Sequence, residues 1–366
     1  MSEWKDDQLS SVLEIKYGKD HKSLEDGDIP CIGSGGIMRY VNDSLYDKVS
    51  ILIPRKGSLN NIMYQDNPFW TVDTMFWSII NEEKVNPKFL FYQLTLIDYT
   101  NLNVGSAVPS LTVPVINEID ISLPEKDEQN EIAEVLSSLD DKIDLLHRQN
   151  QTLEQMAETL FRQWFVEEAD EGWEETTLFD AIELVGGGTP KTSIEEYWNG
   201  NIKWLSGGDI ASNHKSIITS SEKTITEEGL NNSSAKLLPK FSTVISARGT
   251  VGKYCIISEP MAYSQSNYGI KPKYQDCYFF TYLLINHSVE ELNSAAYGSV
   301  FDTITTNTFK GLEIALPSEK EIKAFEAKVE NYFFKILNNQ THIRTLTALR
   351  DALLPKLMSG EVRVVS

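Results

Sequence analysis

Cysteine and histidine are scarce in this chain of 366 residues, which has three cysteines (Cys31, Cys255, Cys277) and five histidines with no CxxC or HxxxH spacing. A zinc site needs several N or S ligands held close together, and a disulfide framework needs paired thiols, so both are excluded and the cysteines are expected as buried free thiols. No apolar run reaches the ~18 residues that a membrane span requires. The opening MSEWKDDQLS lacks the apolar stretch of a secretory signal, so a cytoplasmic protein is expected, with no membrane partner. Positive charge is also short, with 33 Lys and Arg against 53 Asp and Glu, a net charge of −20. That balance opposes phosphate binding, but the deficit is unevenly spread. Residues 125–172 carry −10 and residues 318–366 carry +2, whereas residues 1–124 and 173–317 carry only −7 and −5.

What the sequence does have is a duplication. GSAVPSLTVPVINEIDISLP from Gly105 and GSVFDTITTNTFKGLEIALP from Gly298 align without a gap at an offset of 193, with six of twenty positions identical. The copy starts earlier than this. Glu3–Ile15 matches Gly172–Leu184 at an offset of 169, with Trp4 over Trp173 and Leu9 over Leu178. IPCIGSGGI at Ile29 resembles IKWLSGGDI at Ile202, and SILIPRKGSLNNI at Ser50 resembles STVISARGTVGKY at Ser242. The second copy therefore holds 24 extra residues, and one scaffold has been given two surfaces. Each copy reads as α+β. VSILIPRKG and STVISARG are strands ending at a basic-glycine turn, KFLFYQLTLI and FFTYLLINHSVEEL are helices, and IDISLP and LEIALP are short exit strands.

Each copy leads into a long helix. After Pro124 a heptad places Ile132, Leu139, Leu146, Leu153 and Leu160 in one column and Leu136, Ile143, Asn150, Ala157 and Trp164 in the other. After Pro317 the same register places Phe325, Tyr332, Asn339, Leu346 and Leu353 beside Val329, Ile336, Ile343 and Arg350. Ser318 with Glu321 forms a capping box, and Pro355 is expected to end the second helix before Gly360. The apolar seams and opposite charges predict an antiparallel pair, the alternative being two helices that each pack on their own domain. The resulting segments are residues 1–124, 125–172, 173–317 and 318–366. Helices of about 40 residues would be roughly 60 Å long, about 18 base-pair steps of DNA. Two heads on such a rod would suit a linear, repetitive polymer with a two-fold relation between its strands.

This architecture, with GGGTPKTSIEEYWNGNIKWLSGGDI at Gly186 and the ending LLPKLMSGEVRV, resembles the specificity subunits of type I restriction–modification systems. The resemblance covers essentially the whole chain. In the first copy, EIKYGKDHK departs from the pattern by lacking the Gly-Thr-Pro of the second. The resemblance implies two target-recognition domains, 1–124 and 173–317, each reading half of a bipartite, asymmetric double-stranded DNA site. It implies helices that act as a spacer ruler and dock two modification subunits, which methylate adenine with S-adenosylmethionine. It implies restriction (translocase) subunits, using ATP and Mg, that join them, and a chain that itself binds no cofactor and performs no catalysis. The remaining alternatives are an architectural adaptor without DNA, and a DNA reader for another methyltransferase or defence complex.

Candidate DNA contacts lie in the turn segments. Arg55 and Lys56, with nearby Asn60, and Arg248 with Lys253 offer cations to phosphate or base edges, or form solvated turns. Lys203, Ser206 and Asp209 sit in a Gly-rich loop whose polar residues can read bases, while Trp198 and Trp204 suit core anchors. Gln265 and Asn267 are of the type that pairs with adenine, or are ordinary strand polars. GGGTP lacks the spacing of a phosphate loop and reads as a turn. DNPFW at Asp66 has one proline where amino-methyltransferases have two and no accompanying cofactor motif, and acid-x-Lys triplets occur here at chance frequency.

Overall fold

The computed structural model describes residues 4–105, 107–297 and 302–364, so Glu3, Ser106, Gly298, Ser299, Val300 and Phe301 of the duplicated stretches lie outside the described residues. The chain divides into two compact units, residues 1–144 with 344–366, and residues 145–343.

The first unit runs through β1 (Lys5–Gln8), β2 (Leu13–Tyr17), β3 (Ile29–Gly33), β4 (Gly36–Val41), β5 (Ser50–Pro54), β6 (Met63–Gln65), β7 (Trp70–Thr71) and β8 (Met75–Ile80). Helices α1 (Pro87–Thr95) and α2 (Val113–Asn117), strand β9 (Asp120–Leu123) and the long α3 (Lys126–Arg162) follow. Strand β5 is buried along its whole length, as expected of an unbroken apolar run covered on both faces. It lies inside the sheet β2-β8-β5-β6, while β4-β3-β7 form a second sheet. Helix α1 starts where Asn86 Oδ1 accepts from the Lys88 and Phe89 amides and Pro87 occupies the first turn. It buries Phe89, Leu90 and Leu94 in a core shared with Ile132 and Leu136 of α3.

The second unit holds β10 (Glu174–Thr177), β11 (Ile182–Gly186), β12 (Trp198–Leu205), α4 (Gly207–Ser212), β13 (Ile217–Ile218), β14 (Lys223–Ile225), α5 (Glu227–Asn231) and β15 (Leu237–Leu238). It continues through β16 (Thr243–Ser246), β17 (Tyr254–Ile257), β18 (Met261–Tyr263), β19 (Asn267–Pro272), α6 (Tyr278–Tyr297), α7 (Thr306–Lys310) and β20 (Glu313–Leu316) to the long α8 (Glu319–Met358). Its main sheet, β11-β19-β16-β17-β13, repeats the order of the first unit with one strand added.

The duplication is carried residue by residue. Lys5 pairs with Leu123 and Glu174 with Leu316, so the first and last strands of each copy close in the same register. Cys31 faces Trp70 in a parallel pair as Trp204 faces Ala262. Leu52 faces Met63 as Val244 faces Cys255. Most of the extra length enters between β12 and β16, where α4, β13, β14, α5 and β15 stand in place of the single strand β4, with β14 pairing antiparallel with β12 as β4 does with β3.

Within each unit the segments of α3 and α8 run antiparallel. In the first unit Arg350 Nη1 donates to Asp140 Oδ1 at 2.7 Å, and Asp140 Oδ2 accepts from Tyr92 Oη at 2.6 Å. In the second, Phe161 and Trp164 pack edge-on against Phe325. Of the expected seam residues, Ile132, Leu136, Ile143, Leu146, Asn150, Phe325, Val329 and Ile336 are buried. Leu139, Leu153, Leu160, Tyr332, Ile343, Leu346 and Leu353 are half-buried. Ala133, Phe161, Ile322 and Phe333 are buried as well, because the apolar stripe also serves the domain cores and is wider than a bare coiled-coil seam.

The expected end of α8 at Pro355 is corrected: the helix continues through it to Met358. Proline removes one N–H bond, but burial of Leu357 and Met358 in the first unit's core holds the last turn in place. Ser318 and Glu321 form the expected capping box, with Ser318 N donating to Glu321 Oε2 at 2.9 Å and Glu321 N to Ser318 Oγ at 3.4 Å. All three cysteines are buried and free, and burial pushes each thiol pKa up.

Candidate nucleic-acid interface

The two basic-glycine turns stand in the same backbone frame. In the first unit the Arg55 amide donates to Thr74 O at 2.8 Å and Arg55 O accepts from the Leu111 amide at 2.9 Å. In the second the Ala247 amide donates to Ser266 O at 2.9 Å and Ala247 O accepts from the Ile304 amide at 3.1 Å. One residue further on, each frame presents a cation, Lys56 or Arg248. One more residue on comes a glycine in the left-handed region, Gly57 at φ +87° and Gly249 at φ +78°. Glycine stands there because other residues reach that conformation at a cost.

A third equivalence was hidden in the sequence. A Cβ on Gly187 would lie 2.2 Å from Ser264 O, and a Cβ on Gly18 would lie 2.0 Å from Val72 O. EIKYGKDHK thus keeps the one glycine that the close backbone approach demands, although it lacks Gly-Thr-Pro. Gly188 is equally confined, with a virtual Cβ 2.2 Å from the Ser234 carbonyl carbon, and its own oxygen accepts from Trp204 Nε1 at 3.0 Å. GGGTP is therefore a packing turn, and Trp204 is a buried anchor.

The ten candidate contacts separate by what their side chains already touch. Arg248, Lys253 and Gln265 are exposed and, among the described residues, their side chains make no hydrogen bond or ion pair. Arg55 lies over the Tyr17 ring at 5.4 Å and donates to Asp73 O at 3.3 Å. Lys56 is 3.9 Å from the Asp73 carboxylate. The other five are engaged internally. Asn60 Oδ1 accepts from the Tyr99 amide at 2.8 Å and its Nδ2 donates to Asp98 at 3.1 Å. Lys203 Nζ donates to Thr219 O at 2.7 Å and pairs with Glu259. Ser206 and Asp209 form the capping box of α4, and the second Asp209 oxygen accepts from the Glu222 amide at 2.9 Å. Asn267 is buried, with Nδ2 donating to Ser264 Oγ at 2.8 Å.

The tip of the second unit is cross-tied. Ser246 Oγ and Thr250 Oγ1 are 2.9 Å apart, and Thr250 Oγ1 donates to Gly207 O at 3.2 Å, fastening the Arg248 turn to α4. In the first unit Asn61 Nδ2 donates to Ser34 O at 2.8 Å, and the Gly57 amide donates to Pro109 O at 3.1 Å. Those bonds bring the β3–β4 turn, the Lys56 turn and the segment before Leu111 together. The sequence reading missed Ser34, Asn61 and Thr250, and also missed Ile37 and Met38 beside them; the apolar pair directly after Ser-Gly-Gly was the available signal. Among the described residues no group of His, Cys, Asp or Glu is placed to hold a metal ion, and no helix is long and apolar enough to cross a membrane.

Comparison with known proteins agrees with this arrangement. The family model for the type I restriction modification DNA specificity domain matches residues 1–155 and 170–352. The HindI specificity subunit of Haemophilus influenzae is 25% identical over 439 aligned residues, covering 97% of this chain and 90% of that one. The MjaIX specificity subunit of Methanocaldococcus jannaschii is 26% identical over 345 residues, covering 87% and 79%. In fold, the crystal structure of a type I system S subunit from M. genitalium matches with a TM-score of 0.70 over 97% of this chain and 96% of that one, at 16% identity. With one matched segment in each copy of its repeat, the chain belongs to the family of type I restriction–modification DNA specificity subunits.

Proposed function

We propose that each unit reads one half of a bipartite, asymmetric double-stranded DNA target, and that the chain itself catalyses nothing. The observation that carries this reading is the pair of matched turns: one frame presents Lys56-Gly57 in one unit and Arg248-Gly249 in the other. Around those turns the surfaces differ, a β-ribbon in one and a capped helix in the other. A shared frame with divergent loops suits two readers of different sequences. Cations beside a glycine in the left-handed region suit contact with phosphate or base edges.

In this reading two modification subunits dock on α3 and α8 and supply adenine methylation with S-adenosylmethionine. Restriction subunits supply ATP- and Mg-dependent translocation, and the whole works in the cytoplasm. The helices set the spacing between the half-sites. The net charge of −20 is then offset by partners that close around the DNA. The test is co-expression with a type I modification subunit, followed by genome-wide mapping of methylated adenines. A new split motif is expected, and replacing residues 173–317 by those of a relative should change only one of its halves. The purified chain alone should transfer no methyl group. A complex that leaves no new motif would overturn the reading.

A further inference from the structure

One strand of the first unit exposes three large apolar side chains. On β4, Ile37 is 56% exposed, Met38 57% and Tyr40 51%. A β-bulge explains how neighbours come to share one side. Cys31 pairs with Arg39 and Ile32 with Ile37, which leaves Met38 as the extra residue, so Ile37 and Met38 are both presented to solvent. Among the described residues β4 pairs only with β3, so its other edge is open. Edge strands are usually blunted by charge or proline. The one charge on β4, Arg39, is turned back onto Asp26 at 2.7 Å and Leu24 O at 3.1 Å.

The surroundings of this ribbon are polar and cationic. Met38 Sδ lies 2.8 Å from where a Gly33 Cβ would stand, and Thr74 Oγ1 lies 3.4 Å from the same point. Thr74 O is the acceptor of the Arg55 amide, which leads into Lys56. Ser34 Oγ is 3.0 Å from the Cβ position of Gly57. An apolar pair on a two-stranded ribbon, bordered by Arg55 and Lys56, fits a polyanion whose interior edge carries methyl groups. Duplex DNA has that chemistry: a two-stranded ribbon fits its major groove, cations meet the phosphates, and the thymine C5-methyl is the apolar mark on an A·T pair. The second unit differs at this point: β14 pairs antiparallel with β12, but α4, capped by Ser206, and β13 stand between the two strands, so no tight hairpin carries an exposed apolar pair there.

We propose that the β3–β4 ribbon enters the major groove of the half-site read by the first unit, with Ile37 and Met38 contacting thymine methyl groups there. The inference rests on the DNA-reading function proposed above. It adds that the two half-sites are read by different chemistry, one through methyl contact and one through polar groups.

The test uses the complex of this chain with its modification subunits and a duplex carrying its motif. Replacing thymine by uracil removes only the methyl. In one half-site each such replacement should weaken binding about threefold to fivefold, and in the other it should have no effect. The sensitive half should be the one that changes when residues 1–124 are exchanged. Ile37→Ala with Met38→Ala should abolish the difference between thymine and uracil while leaving binding to the other half unchanged. If uracil is bound like thymine in both halves, or if the double variant keeps the full methyl response, the proposal is wrong. A variant that keeps that response but changes the mass of the complex would assign the ribbon to a protein contact and equally overturn it. Loss of all specific binding by the parent complex would instead count against the DNA-reading function itself.

Discussion

Asn339 Nδ2 donates to Asn150 Oδ1 at 2.8 Å, and both side chains are buried between α3 and α8 within the second unit. Each asparagine falls in an apolar column of its own heptad, so the pair joins two seams at one layer and fixes their register. Asn339 Oδ1 has no partner among the described residues.

That geometry predicts an asymmetry between single and double replacement. Asn150→Leu or Asn339→Leu alone leaves a buried amide unpaired and should cost about 1–3 kcal/mol. The double replacement should recover most of that loss, because it also removes the orphaned oxygen. Denaturant unfolding of the four proteins in a double-mutant cycle measures the coupling. Additive losses would show that the pair does not set the register.

A second prediction concerns pH. Glu326 accepts from the Phe279 and Phe280 amides at 3.0 and 2.7 Å, and burial raises its pKa to about 7. Burial with Glu158 nearby raises Glu154 to about 7 as well. A carboxyl raised in the fold favours the protonated protein. The stability it contributes is full below the unfolded value near 4.5 and is lost as pH rises through 7. The second unit should therefore be less stable at pH 8 than near pH 5.5, by on the order of 1–3 kcal/mol. Melting curves of the parent and of Glu326→Gln across that range should show a smaller decline in the variant. A flat parent curve would contradict the assignment.

The paired glycines make a third. Gly18→Ala and Gly187→Ala each drive a Cβ into a backbone oxygen, so each should cost roughly 3 kcal/mol or more, at the severe end of single substitutions. Gly249→Ala meets open space and faces only its positive φ, so it should cost about 1–2 kcal/mol. Equal losses at the three positions would mean that the close approach to Val72 and Ser264 is not what selects glycine.

At the proposed DNA surface, Arg248→Ala should weaken specific binding by about 1–3 kcal/mol if the side chain pairs with a base edge. Lys203→Ala should leave specificity unchanged, because its ammonium is held by Glu259 and Thr219 O. Competition binding with the assembled complex measures both. A larger loss at Lys203 than at Arg248 would reverse the two roles.

The sequence made the repeat and its turns readable because backbone frames leave long shadows. The exit prolines recur at an offset of 193 and the cation-glycine pairs at 192. Gly18 was harder to see, because a close approach needs a single glycine and its neighbours are free to change. Ser206, Asp209, Lys203 and Asn60 look like readers in one dimension, since a cap or an ion pair is visible only once its partner is in place. Pro355 reads as a stop, yet Leu357 and Met358 are buried strongly enough to carry the helix past it.

The first unit is assembled from two distant pieces of chain: residues 4–144 need residues 344–364, whose Leu357 and Met358 complete its core and whose Gly360 lies against Trp4. During synthesis the earlier piece must therefore wait for about 200 intervening residues, roughly 10–40 s at ordinary rates of elongation. The second unit, continuous from 145 to 343, can fold within that interval. Although it is made first, the N-terminal reading head is finished last, and its core lacks Leu357 and Met358 on the nascent chain until it is.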